Sequence, residues 1–138
     1  MINAQESIAS TLTVSRMTNS ATVTANWDLR GGSYGVLSVI LAAEINTNAT
    51  GPTISVLESD ASGSGFVTAT ADRTAEDITS AKTIKYLLDA RSRKRFIRVS
   101  VTTAGTTNDD VTVAAVGELS RNDSGPAEAD LADVVVRV

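Results

Sequence analysis

The sequence predicts an all-β protein, a single-domain β-sandwich or jelly roll of about eight short strands. Three observations carry this. Apolar and polar residues alternate with period two in one segment after another, the mark of strands with one face buried. The apolar content is Val, Ile, Leu and Ala, with only two Phe, two Tyr and one Trp among 138 residues. With abundant Thr, it suits a pleated surface, where stiff β-branched side chains lose little freedom. Gly, Asn, Asp and Ser gather between the alternating runs, as turns do in sandwiches.

The elements follow in order. Ser10–Ser15 sets Leu12 and Val14 against hydroxyls, and Ser20–Trp27 sets Ala21, Val23, Ala25 and Trp27 against Thr22, Thr24 and Asn26. After the Gly31-Gly32 loop, Tyr34–Ala43 is apolar on both sides and predicts a central strand with both faces covered. The turn at Asn46–Pro52 leads to a strand at Thr53–Glu58. Ser59–Gly65 breaks that strand, and a short one follows at Phe66–Thr70. The segment from Asp72 to Arg91 leaves room for one short helix near 75–81, then a strand with Ile84, Tyr86 and Leu88 on one face. Arg95–Thr103 and Val111–Leu119 read as two clear strands, and the ADVVVRV stretch as a last strand or arm. The expected organisation is an N-terminal arm at 1–10, a sandwich at 11–120 and a linker with C-terminal strand or arm at 121–138.

Composition restricts the chemistry. There is no His and no Cys, so neither an imidazole proton shuttle nor a thiolate nucleophile or zinc ligand is available. The net charge of −4 weighs against a general polyanion binder, and no nucleic-acid partner is expected. The longest apolar run, Val36–Ala43, falls short of the roughly 20 residues of a membrane helix, so no membrane partner is expected either. The first ten residues carry neither a basic nor an apolar signal region, so no secretory signal is expected there. No catalytic residue, cofactor or metal site is predicted.

The weaker candidates each have a plainer account. Arg91-Ser-Arg93-Lys94-Arg95 with Phe96 and Arg98 could contact phosphate or an acidic partner, but a solvated hairpin turn explains it as well. Asn108-Asp109-Asp110 and Glu58-Ser-Asp60 offer oxygens to Ca²⁺, yet turn chemistry accounts for both. Two carboxylates could in principle hydrolyse a glycoside, but such clefts rely on aromatic platforms that are scarce here. Trp27 and Tyr34 bracket the Gly31-Gly32 loop and suit either an interface or the core edge. The candidate interface residues are Trp27, Tyr34, Arg93, Arg95, Phe96, Val134 and Val136.

Three stretches together resemble a family. They are Trp27-Asp28-Leu29 with Gly32-Ser33-Tyr34 and the apolar strand to Ala43; Thr53–Asp60 with its Gly/Ser turn and Phe66; and Arg93–Val99 followed by Gly105 and Val111–Val116. This order of elements resembles the capsid decoration, or cement, proteins of tailed bacteriophages, which have a jelly-roll-like fold. The resemblance spans Trp27 to Leu119. It implies a non-enzymatic virion protein, made in the host cytoplasm and bound outside an icosahedral shell. Its implied partners are itself, as a homotrimer, and the major capsid protein. The alternatives are a phage tail structural subunit or a carbohydrate- or cell-surface-binding sandwich module.

Overall fold

A computed structural model describes residues 13–17, 21–30, 33–41, 52–70, 73–74, 82–103, 111–120 and 134–137. The fold is an all-β sandwich of two sheets. The strands are β1 (Thr13–Met17), β2 (Thr22–Asp28), β3 (Tyr34–Leu41), β4 (Thr53–Ser59), β5 (Val67–Thr68), β6 (Arg73–Thr74), β7 (Lys82–Asp89), β8 (Phe96–Thr102), β9 (Val111–Ser120) and β10 (Val134–Arg137). One sheet, here sheet A, has the order β1-β9-β3-β7-β10; the other, sheet B, has β2-β8-β4-β5, with β6 also on β4. All pairings are antiparallel except that of β10 with β7.

Alternation in the sequence becomes the two faces of each sheet. In β2 and β8 the register sets Ala25 opposite Val99 and Trp27 opposite Ile97, all buried. Ile54 and Val56 of β4 pair with Val101 and Val99 on the same inner face. Sheet A answers with Leu37, Val39 and Leu41 of β3, Ile84, Tyr86 and Leu88 of β7, and Val113 and Ala115 of β9. Each large side chain taken from water adds roughly 1.5–3 kcal/mol, so this layer is what holds the sheets together.

Trp27 meets its counterpart across the core at a glycine. A Cβ built on Gly117 would lie 2.5 Å from both Cδ1 and Cε2 of the indole, well inside van der Waals contact. The ring therefore occupies the place where any other residue of β9 would put its side chain. Gly117 faces the core between buried Ala115 and Leu119, opposite Leu37 of β3.

Turns are closed by side chains that the sequence supplies locally. Ser59 ends β4 and is buried. Its hydroxyl donates to the Ser64 carbonyl at 2.6 Å and accepts from the Ala61 N–H at 3.1 Å. Gly65 completes this bend with φ of +68°, a conformation that costs L-residues with a side chain. Thr103, also buried, accepts from the Ala21 N–H at 2.9 Å, so the end of β8 is tied to the start of β2.

Two expectations need correction or qualification. Both faces of the central strand were expected to be covered. β3 is central within sheet A, but sheet B covers only one of its sides, and Ile40 on the other is 39% exposed. A strand with neighbours on either edge need not have layers above and below it. The strand expected at Phe66–Thr70 is confined to Val67–Thr68. The helix expected near 75–81, the arm at 1–10 and Asn108-Asp109-Asp110 lie outside the described residues; of the linker and C-terminal strand or arm expected at 121–138, only β10 is described.

Candidate interaction surface

The basic cluster sits at one end of the sandwich, where β2, β4 and β7 finish and β3 and β8 begin. A 3-10 turn at Ala90–Ser92 carries the chain from β7 toward β8. Asp89 starts the turn by accepting from the Arg91 N–H at 3.1 Å, as a short acidic side chain does at a helical N-terminus. Arg91 turns back so that its Nε donates to Asp89 at 2.9 Å. The same guanidinium lies over the Tyr34 ring, 4.7 Å from its centroid, and bonds the phenol oxygen.

Every cation from Arg91 to Arg95 meets a carboxylate. Arg93 Nη1 lies 3.6 Å from Glu58, and Lys94 Nζ lies 3.8 Å from Asp60. Arg95 forks onto Asp28 with bonds of 3.1 and 2.7 Å, the bidentate geometry that suits a planar guanidinium. Arg95 also covers the Phe96 ring, and Arg98 covers Phe66 at 3.8 Å while donating to Asn26. The cations from Arg91 to Arg95 are thus neutralised within the chain, and the guanidinium faces of Arg91, Arg95 and Arg98 rest on rings, where each contact contributes about 0.5–1 kcal/mol. Glu58 and Asp60, weighed above as calcium ligands, are instead the counter-ions of Arg93 and Lys94. Among the described residues no three His, Cys, Asp or Glu side chains gather as a metal site would require.

The Asp89 carboxyl is held below the usual carboxylate range, chiefly by the hydrogen bond from the Arg91 side chain. The Arg91 guanidinium is correspondingly raised by Asp89. A depressed folded pKa means that the pair's contribution is complete above the unfolded value, about 3.9. It is lost as pH falls through the folded value. A carboxyl ¹³C titration should give Asp89 a midpoint below about 3.9, returning to it in Arg91→Met. An unchanged midpoint in the variant would remove Arg91 as the cause.

Burial ranks the remaining pairs. The Arg95 and Asp28 side chains are each 40% exposed, and Arg95→Ala should cost about 0.5 kcal/mol in urea unfolding. Glu58 is 16% exposed and also accepts from the Lys94 N–H at 3.2 Å. Glu58→Ala leaves that N–H without its acceptor and removes the ion pair of Arg93, whose Nη1 keeps only the Ala69 carbonyl at 3.3 Å, and should cost about 2 kcal/mol. Equal losses for the two variants would refute the ranking.

The other sequence candidates separate. Trp27 is not a surface anchor in this chain: at 7% exposed its ring belongs to the core, because Gly117 makes room for it. Tyr34, Arg93, Arg95 and Phe96 share the end just described. Val134 and Val136 lie in β10, in register with Ile84 and Tyr86 along the edge of sheet A, and their side chains lie outside the described residues. The surface that sequence reasoning missed is the outer side of sheet A. There Ile40 is exposed, and Val36, Ala114 and Val116 are half-buried. Register sets Ile40 between Ala114 and Thr83, Ser38 between Val116 and Lys85, and Val36 between Glu118 and buried Leu87, so apolar groups on this side alternate with polar and charged ones. The apolar second face of Tyr34–Ala43 was the available signal.

Comparisons with family models, with curated proteins and with solved structures each gave no match for this chain.

Proposed function

We propose that this chain is a non-enzymatic structural protein that decorates the outside of an icosahedral phage shell. It binds as a homotrimer and clamps neighbouring copies of the major capsid protein. The observation that carries the reading is the outer side of sheet A, where Ile40, on the central strand, is 39% exposed beside Ala114. An exposed Ile on a side of mixed apolar and polar residues suits contact with another protein. The strand order adds support: β1-β9-β3-β7 faces β2-β8-β4-β5, with most successive strands changing sheet, as in the double-sheet wrapping of a jelly roll. The internally neutralised basic cluster also favours a protein partner over a polyanion.

The physical basis is mass action. A protein that binds the assembled lattice and not its free subunits stabilises the lattice, and a trimer multiplies modest contacts. The test is co-sedimentation with emptied shells, with unassembled capsid protein as the control, and light scattering for the mass in solution. The expected outcome is a trimer that pellets only with shells and raises their disruption temperature. Failure to pellet with shells at any salt concentration would overturn the proposal. In that event, tail assemblies and glycans are the next binding partners to assay.

A further inference from the structure

Two large aliphatic side chains share the side of sheet A away from sheet B, and they differ in exposure. Ile40 is 39% exposed, whereas Leu87 is 5% exposed although it lies outside the core cluster between the sheets. Register sets Ile40 between Ala114 and Thr83, and Leu87 between Val36 and Arg137. Flanking side chains shield the sides of a leucine but not its end. Something must therefore lie over Leu87, and sheet B, on the other side, cannot be it.

Topology names the segment. β9 and β7 both run antiparallel to β3, and β10 runs parallel to β7, so β9 and β10 are parallel strands of one sheet. β9 ends at Ser120, level with Tyr34 and Asp89, whereas β10 starts level with Ile84, on the far side of β3 and β7. The chain between them must travel back along the strands by about 17 Å and across the sheet by roughly 14 Å. Thirteen residues join Ser120 to Val134, and they reach at most about 45 Å. Sheet B fills the inner side, which leaves the outer one. A crossover there has the same hand as β7–β8–β9, which crosses sheet A in the opposite direction through sheet B. The right-handed rule for parallel strands is thus met by both together. Positions 127–131 read Ala-Glu-Ala-Asp-Leu, a period of two that sets Ala127, Ala129 and Leu131 on one side and two acids on the other.

We infer that the surface around Leu87 and Val36 is a docking site for the chain's own residues 121–133, which cross the outer side of sheet A with their apolar positions against it. This contact holds β10 on β7, and β10 caps an edge that would otherwise pair with another copy. Shell attachment uses the other half of this side, at Ile40 and Ala114. The inference does not rest on that attachment, and loss of shell binding would leave the result below untouched.

The chain has no Cys, so one introduced thiol reports on one position. A maleimide should modify Ile40→Cys roughly tenfold faster than Leu87→Cys, because access governs the rate. Replacing 121–133 with thirteen Gly and Ser residues keeps β10 tethered and removes the apolar positions. In that background Leu87→Cys should react within about twofold of Ile40→Cys, whereas deleting residues 1–10 should leave it protected. Should Leu87→Cys fail to fold, Val36→Cys is the reporter, with the same expected order. Leu87→Cys combined in turn with Ala127→Cys, Ala129→Cys and Leu131→Cys should close a disulfide within one chain in at least one pair, since such a bond needs close approach of the two backbones. Equal labelling of positions 40 and 87 in the chain with its own linker would overturn the inference. So would protection that survives the Gly and Ser replacement, or disulfides that form only between copies.

Discussion

Gly117→Ala is expected to lower the melting temperature by about 10 °C, from a loss of about 3 kcal/mol. The added methyl would meet the indole of Trp27 at 2.5 Å from two ring atoms, and neither partner can yield cheaply. Gly117 is paired to Leu37 of β3, and β9 is held by β1 two residues away at Ala115, so its backbone has little room to retreat. Trp27 is fixed by the pairing of β2 with β8 and must tilt its ring out of the core. The comparison that isolates this clash is a double-mutant cycle with Trp27→Leu. Each single change should destabilise, but the pair together should cost much less than their sum, because a smaller side chain leaves room for the methyl. Additive losses, measured by urea unfolding, would mean that the two residues do not share the site.

The second large effect is on binding. Ile40→Glu should leave the melting temperature within a degree or two, since this side chain is already 39% exposed. On the proposed role, it should weaken shell attachment about 100-fold, or some 2.7 kcal/mol. A carboxylate pressed into an apolar contact loses its water and gains no partner. Thr24→Glu, on the outward side of β2 in the other sheet, is the matched control and should bind as the native chain does. Equal binding by Ile40→Glu and the native protein would move the contact surface away from sheet A. Trimer mass measured on the same samples separates a lost self-contact from a lost shell contact.

Much of the fold was legible because alternation is local. Val23, Ala25 and Trp27, or Ile97, Val99 and Val101, declare their common side within one strand. The inner layer followed from that pattern without knowledge of the partners. What was not legible depends on distant pairings. Nothing near Arg95 announces Asp28, 67 positions away, and nothing near Lys94 announces Glu58, 36 positions away. The basic cluster therefore read as either a contact for an external anion or a solvated hairpin turn, and its internal counter-ions stayed hidden. Gly117 was opaque for the same reason: a glycine in a strand signals a close approach, but only the opposing sheet reveals Trp27 as what approaches. The apolar outer side of β3 was visible in the sequence and misread, because hydrophobicity on two faces was taken to mean two covering layers.

The tie between Ala21 and Thr103 joins positions 82 apart, and β1 waits still longer for β9. On the ribosome, β2 has no sheet partner until β8 has left the exit tunnel, so neither sheet can close while most of the chain is being translated. Pairings of such long span are slow to form. The nascent polypeptide must therefore keep its early strands apart from those on adjacent ribosomes of the same message. The Thr and Asn that alternate with the apolar residues of β2 make those waiting segments poorer seeds for intermolecular stacking than a continuous hydrocarbon run would be.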